Sequence, residues 1–98
     1  MIIVTGSINS LPDRFDDLLA CSLEHVRRSR TEAACISHAV YRDVENPLRL
    51  VFYEEWSDRA ALLVHFAVPA SRAFVKAAAA LASAAPAMQN HEAQAVRL

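Results

Sequence analysis

The amino-acid sequence predicts a single α+β domain in which four antiparallel strands are covered on one face by helices, and three observations lead there. β-Branched or alternating apolar runs recur at four places along the chain. Stretches with apolar residues at helical spacing lie between the first and second runs and between the third and fourth. Only Asp43-Val44-Glu45-Asn46-Pro47 separates the second run from the third. A link that short joins antiparallel neighbours, because a parallel pair needs a crossover of roughly a dozen residues or more. The resulting order, strand-helix-strand-strand-helix-strand, is that of a ferredoxin-like sandwich.

Each element has its own signal. Ile2, Ile3, Val4 and, beyond Gly6, Ile8 are β-branched nearly throughout, which suits a strand buried on both faces. Pro12 stands where it can open a helix, with Asp13 in the first turn. Phe15, Leu18, Leu19, Ser22, Leu23 and Val26 then share one helical face, so a helix is predicted over about residues 12 to 30. Arg27, Arg28 and Arg30 crowd its last turn, and they read as a solvated, dipole-matched helix end rather than a binding patch.

Cys35 to Tyr41 is the second strand and Leu48 to Trp56 the third. Leu50, Phe52, Glu54 and Trp56 fall on one face of the third, and Arg49, Val51, Tyr53 and Glu55 on the other. Both faces carry large side chains. If one covers the helices, the other calls for a partner's sheet. Ser57 is expected to cap a short helix with Asp58 in its first turn, and Leu62, His65 and Phe66 recur at helical spacing. Val68-Pro69 breaks that helix and opens another, Ala70 to about Ala84, striped by Phe74, Ala77, Ala78 and Leu81. Its alanines fill little volume, so a cavity is expected beneath it. Pro86 ends the helix, and Met88 to Leu98 is expected as the final strand.

Composition bounds the function. With 98 residues the chain reads as one domain, 1–98. An apolar fraction of 54% is more than so small a domain covers alone, and a second copy, a homodimer through the sheet face, is the simplest cover. The 10 basic and 11 acidic residues nearly cancel and form no basic stripe with interleaved aromatics, which argues against nucleic acid. No apolar run approaches the roughly 20 residues of a membrane span. The Met-Ile-Ile-Val start lacks the positive segment of a signal peptide, so a soluble, cytoplasmic protein is expected. Cys21 and Cys35 read as buried thiols, since neither sits in a Cys-x-x-Cys unit. His25, His38, His65 and His91 are scattered, with no metal-ligand spacing, and Gly6 alone makes no phosphate loop. Neither a metal nor a cofactor is expected.

The chemistry concentrates at the corner after the third strand, where Glu54 and Trp56 precede a helix that carries His65. Histidine is the natural base near neutral pH, and tryptophan can stack a planar ring. Glu54 shares its face with Phe52 and Trp56 and so should be paired, with His65 or an arginine, since a lone buried carboxylate is costly. His38 is a second base, on a face that only the strand register can assign.

The pattern Glu54-x-Trp56-x-Asp58-x-x-Ala61-Leu62-x-x-His65, followed by Pro69 and Phe74, resembles the hallmark of the antibiotic biosynthesis monooxygenase family. Glu32 and Cys35 echo a glutamate before a cysteine at the start of that family's second strand. The resemblance implies a dimeric α/β barrel, built by two ferredoxin-like subunits, and a cofactor-independent monooxygenase that oxidises a small aromatic hydroxyl compound, a quinol or polycyclic phenol, with O2. On that reading His65, Glu54 and His38 are the catalytic candidates. Trp56, Phe74 and Phe52 would hold the ring, and Arg72 or Asn9 would stabilise an oxyanion. Haem degraders of the same superfamily carry an axial histidine where this chain has Val75, which disfavours haem. A non-catalytic dimeric binding module and an isomerase using the same pocket are the alternatives.

Overall fold

Antiparallel pairing in the order β2-β3-β1-β4 places the first strand in the middle of a single four-stranded sheet. The computed structural model describes residues 1–98. Its elements are β1 (Ile2–Asn9), α1 (Phe15–Ser29), β2 (Cys35–Arg42), β3 (Arg49–Trp56), α2 (Arg59–Ala67), α3 (Pro69–Leu81) and β4 (Ala87–Glu92). All the helices lie on one face. The molecule is a slab of 41 × 35 × 20 Å, its least dimension being that of one helix layer on one sheet, about 10 Å each. This is the α+β, ferredoxin-like architecture that the element order predicts.

Register sets which side chains meet. Val4 pairs with Glu54 and Ile8 with Leu50 across β1–β3, while His38 faces Glu54 and Val40 faces Phe52 across β2–β3. A one-residue irregularity between Cys35 and Ser37 precedes this ladder and brings His38 onto the helix-covered face. That face holds two apolar clusters, one with Ile8, Phe15, Leu18, Val26, Leu50, Phe52 and Ala78, the other with Ile2, Val4, Trp56 and Leu62. Glu54 stands on β3 between them, the one acidic position in a row of large apolar side chains.

β1 is buried on one face only: Ile2, Val4 and Ile8 are enclosed, whereas Ile3, Thr5 and Ser7 remain half-exposed on the open side. Several element ends also differ from expectation. α1 begins at Phe15, because Pro12 and Asp13 form a turn before it, and its dipole is matched by Asp16 and Asp17 at the start and by Arg27 and Arg28 at the end. Ser57 still donates its N–H to Ala34 O at 3.1 Å. The cap therefore falls to Asp58, whose Oδ1 accepts the Ala61 N–H at 2.8 Å.

Val68 is extended, with ψ 128°, and Pro69 occupies the first turn of α3, as expected of the residue before proline. α3 stops at Leu81 because β1 and its exit capture the chain: Leu11 donates to Leu81 O and Ser83 to Asn9 O. β4 ends at Glu92, which faces Ile2, the first residue of its only neighbour. The cysteines are free and half-buried rather than enclosed, and burial raises both thiol pKa values. No single helix is long and apolar enough to cross a membrane.

Candidate functional site

Four elements converge on Glu54. α1 contributes His25, β2 contributes His38 and α2 contributes His65, and all three imidazoles are buried, at 8%, 2% and 3% exposure. Their ring centroids stand 5.3 Å (His25–His38), 5.4 Å (His25–His65) and 5.8 Å (His38–His65) apart. One ring nitrogen from each lies within 4.8 Å of the others. Trp56 closes the cluster from β3, its ring 4.4 Å from that of His65, and Phe74 of α3 stacks on His25 at 4.1 Å with the planes only 6° apart.

Two carboxylates serve this cluster from opposite sides. Glu54 Oε1 accepts the Trp56 Nε1–H at 2.9 Å and lies 3.2 Å from His38 Nε2, close enough for charge to act although the two groups are poorly aligned for a hydrogen bond. Glu32 Oε2 sits 2.8 Å from His65 Nδ1 and 3.3 Å from Arg28 Nη1. Arg28 Nη2 also donates to Ser71 Oγ at 2.7 Å. The carboxylate at Nδ1 assigns the proton to that nitrogen and leaves the Nε2 lone pair of His65 available.

The electrostatics follow from burial and mutual repulsion. Desolvation drives the His25 imidazolium down to about 3, and positive charge on His38, His65 and Arg28 acts in the same direction. Burial pushes the Glu54 carboxyl up, but the close contact with His38 and its charge, the Trp56 N–H and His65 outweigh it and hold the group below the usual carboxylate range. At neutral pH the cluster therefore pairs an anionic Glu54 with a neutral His25.

Beneath α3 lies a cavity of about 120 Å³ whose walls include Val4, Ile8, Phe52, Phe74, Ala78 and Met88, with His25 and Glu54 as its ionisable lining residues. Of the alanines of α3 only Ala78 lines this space, its small side chain leaving volume unfilled. The His25–Phe74 stack is also a wall of a second depression, about 240 Å³, between α1 and α3, lined by Cys21, Glu24 and Arg28 among others. His25 and Phe74 thus form a wall shared by the two depressions.

The residues singled out from the sequence divide into three groups. Glu54, Phe52 and Phe74 line the inner pocket. His38, His65 and Trp56 pack one layer deeper, with Trp56 wholly enclosed. Asn9 and Arg72 do not join them: Asn9 points to the open sheet face in alternation with Ile8, and Arg72 is exposed on α3. The expected partner of Glu54 also changes, since His38 and Trp56 hold it while His65 pairs with Glu32. Arg28 leaves the solvated arginine cluster for this network, because Glu32 and Ser71 offer it acceptors.

His25 carries no linear signal, lying 13 residues from His38 and 40 from His65. Its place on the apolar face of α1, three residues beyond Ser22 and one before Val26, is the only hint that the sequence holds.

Comparison with known proteins agrees with this architecture. The family model described as antibiotic biosynthesis monooxygenase matches residues 1–77. An uncharacterised protein of Synechocystis sp. is 37% identical over 75 residues, which cover 76% of this chain and 51% of that protein, so the chain spans about half the length of this relative. Among solved structures, the crystal structure of an antibiotic biosynthesis monooxygenase superposes with a TM-score of 0.90 at 28% identity, covering 97% of this chain and 100% of that one. A Mycobacterium tuberculosis protein shares the fold with a TM-score of 0.90 at 21% identity, over 97% and 96% of the two chains. By its matched residues, its Glu54-x-Trp56 corner and its sheet order, the chain belongs to the antibiotic biosynthesis monooxygenase family.

Proposed function

We propose that this chain oxygenates a small, electron-rich aromatic hydroxyl compound held beneath α3, using O2 directly. The observation that carries the reading is the apolar cavity of about 120 Å³ with Glu54 and His25 set into its wall. Such a space suits a small planar ring lying against Phe52 and Phe74, with a hydroxyl turned toward the carboxylate.

Glu54 is the group that meets the hydroxyl, and His38, on the same carboxylate oxygen, takes up the proton. His65, oriented by Glu32, is the reserve base behind them. His25, held neutral, is free to donate a hydrogen bond to the developing oxyanion. The phenolate or hydroquinone anion then passes electrons to O2. One oxygen atom bonds to the ring carbon, and the other leaves as water with the two hydrogens that the substrate gives up. The balance needs no external reductant.

The functional unit in this reading is a cytoplasmic homodimer. The open sheet face, with Ile3, Val51 and Tyr53 half-exposed on it, supports pairing with a second copy. The test is oxygen uptake by the chelator-treated protein with a panel of hydroquinones and anthrones. Uptake above the uncatalysed rate is expected, and Glu54→Gln should lower kcat by about 100-fold or more. Uptake equal to the blank for the whole panel refutes the proposal, and turnover that persists without O2 points to isomerisation instead.

A further inference from the structure

We propose that His25, His38 and His65 bind one divalent transition-metal ion of the zinc class, each through one ring nitrogen. The rings come from α1, β2 and α2, elements far apart in sequence, and their centroid separations of 5.3, 5.4 and 5.8 Å are the first argument. Three imidazoles on a tetrahedral ion, each nitrogen about 2.0–2.1 Å from the metal, have centroids roughly 5 Å apart and nitrogens roughly 3.3 Å apart. The nitrogens here lie within 4.8 Å of one another, a wider set than an ion-bound one, and binding would draw the three rings together.

The second argument is hydrogen-bond accounting. His25 Nδ1 and both ring nitrogens of His38 are buried with no hydrogen-bond partner. Orphaned polar atoms in a desolvated site are costly, and a shared cation would satisfy several lone pairs at once. Glu54 Oε1, 3.2 Å from His38 Nε2, places a negative charge beside the three rings.

The surroundings match those of a metal centre. Glu32 on His65 Nδ1 makes a carboxylate–imidazole pair of the kind that orients metal-bound histidines; Arg28 donates to that glutamate and is itself held by Ser71 Oγ. The donor set, three imidazole nitrogens, favours Zn²⁺ or Co²⁺ over Mg²⁺ or Ca²⁺. The groove between α1 and α3, which reaches His25 past Glu24, gives a way in. An ion there occupies the lone pairs that the proposed proton transfer uses, so the metal-bound chain is the resting or inhibited form.

The test uses the full chain stripped with a chelator and titrated with ZnCl2 by calorimetry and with CoCl2 by visible absorption. One ion per chain and the intense bands of four-coordinate Co²⁺ are expected. His25→Phe, which keeps the stack on Phe74, should weaken Zn²⁺ binding by about 100-fold or more, whereas His91→Gln, on the exposed strand β4, should change nothing. Imidazole nitrogen shifts of the wild-type protein provide a readout independent of variant folding: Zn²⁺ should move His25, His38 and His65 together. The proposal is overturned if no ion binds, if His25→Phe binds as the wild type does, if Co²⁺ is six-coordinate, or if only His91 responds. Oxygen uptake in chelator tests the catalytic reading separately.

Discussion

At the scale of single residues, the site rests on a few buried polar groups whose energies are large because water is excluded. Trp56 is fully enclosed and donates to Glu54. Trp56→Phe keeps a ring but removes that donor and leaves a void, so a loss of roughly 2–3 kcal/mol is expected from urea denaturation. His25 makes a second prediction, for the metal-free protein. Its pKa falls from 6.5 to about 3 on folding, so below pH 6.5 the unfolded chain binds a proton that the folded one refuses. The stability owed to neutral His25 is full above pH 6.5 and declines as pH falls toward about 3, by roughly 2 kcal/mol at pH 5. Melting curves in chelator between pH 7 and 5 should show that slope, and His25→Phe should flatten it. An unchanged slope in the variant would assign the acid limb to other groups.

Elements decide where these residues stand. The α2 cap is a local device, and Asp58→Ala should cost about 1 kcal/mol, read from the denaturation midpoint, by freeing the Ala61 N–H. α3 acts differently, through what it omits. Ala78 is buried and lines the cavity. Ala78→Leu should therefore fill space rather than open it, changing stability by no more than about 1 kcal/mol while abolishing uptake of a ring-sized ligand. A variant that still binds the ligand would place the pocket elsewhere.

Periodicity made the strands, the helices, the proline break at Val68-Pro69 and the cavity under the alanines legible in the sequence. Boundaries were less so, because they depend on distant partners. α3 ends where Leu11 and Asn9 take its carbonyl and the following N–H, and β4 ends where β1 has no more residues to pair.

For the whole molecule, the controlling fact is a sheet covered on one face only. Ile3, Val51 and Tyr53 lie half-exposed on the other, with Tyr41 exposed beside them. Val51→Arg places a charge in the middle of that face, and sedimentation should show the 10.8 kDa chain shifting from dimer to monomer. A wild-type protein that sediments as a monomer at all concentrations would remove the second copy from the proposed function. Since stability of such a dimer depends on protomer concentration, the melting temperature of the wild type should rise on concentrating it and that of the variant should not.

The sequence by itself determined the α+β class, the ferredoxin-like order, the family and the phase that puts Phe52, Glu54 and Trp56 on one side of β3. These follow from local periodicity and short motifs, which neighbouring residues carry. Tertiary structure alone decided the partners. Register set His38 against Glu54, the loop after α1 brought Glu32 to His65, and the packing of α1 on α3 turned His25 into the cluster against Phe74. Asn9 and Arg72 stand outside the cluster for the same reason, since strand alternation and helix phase set their positions. Distances between residues that lie tens of positions apart are set by how elements pack, and no spacing within the chain encodes them.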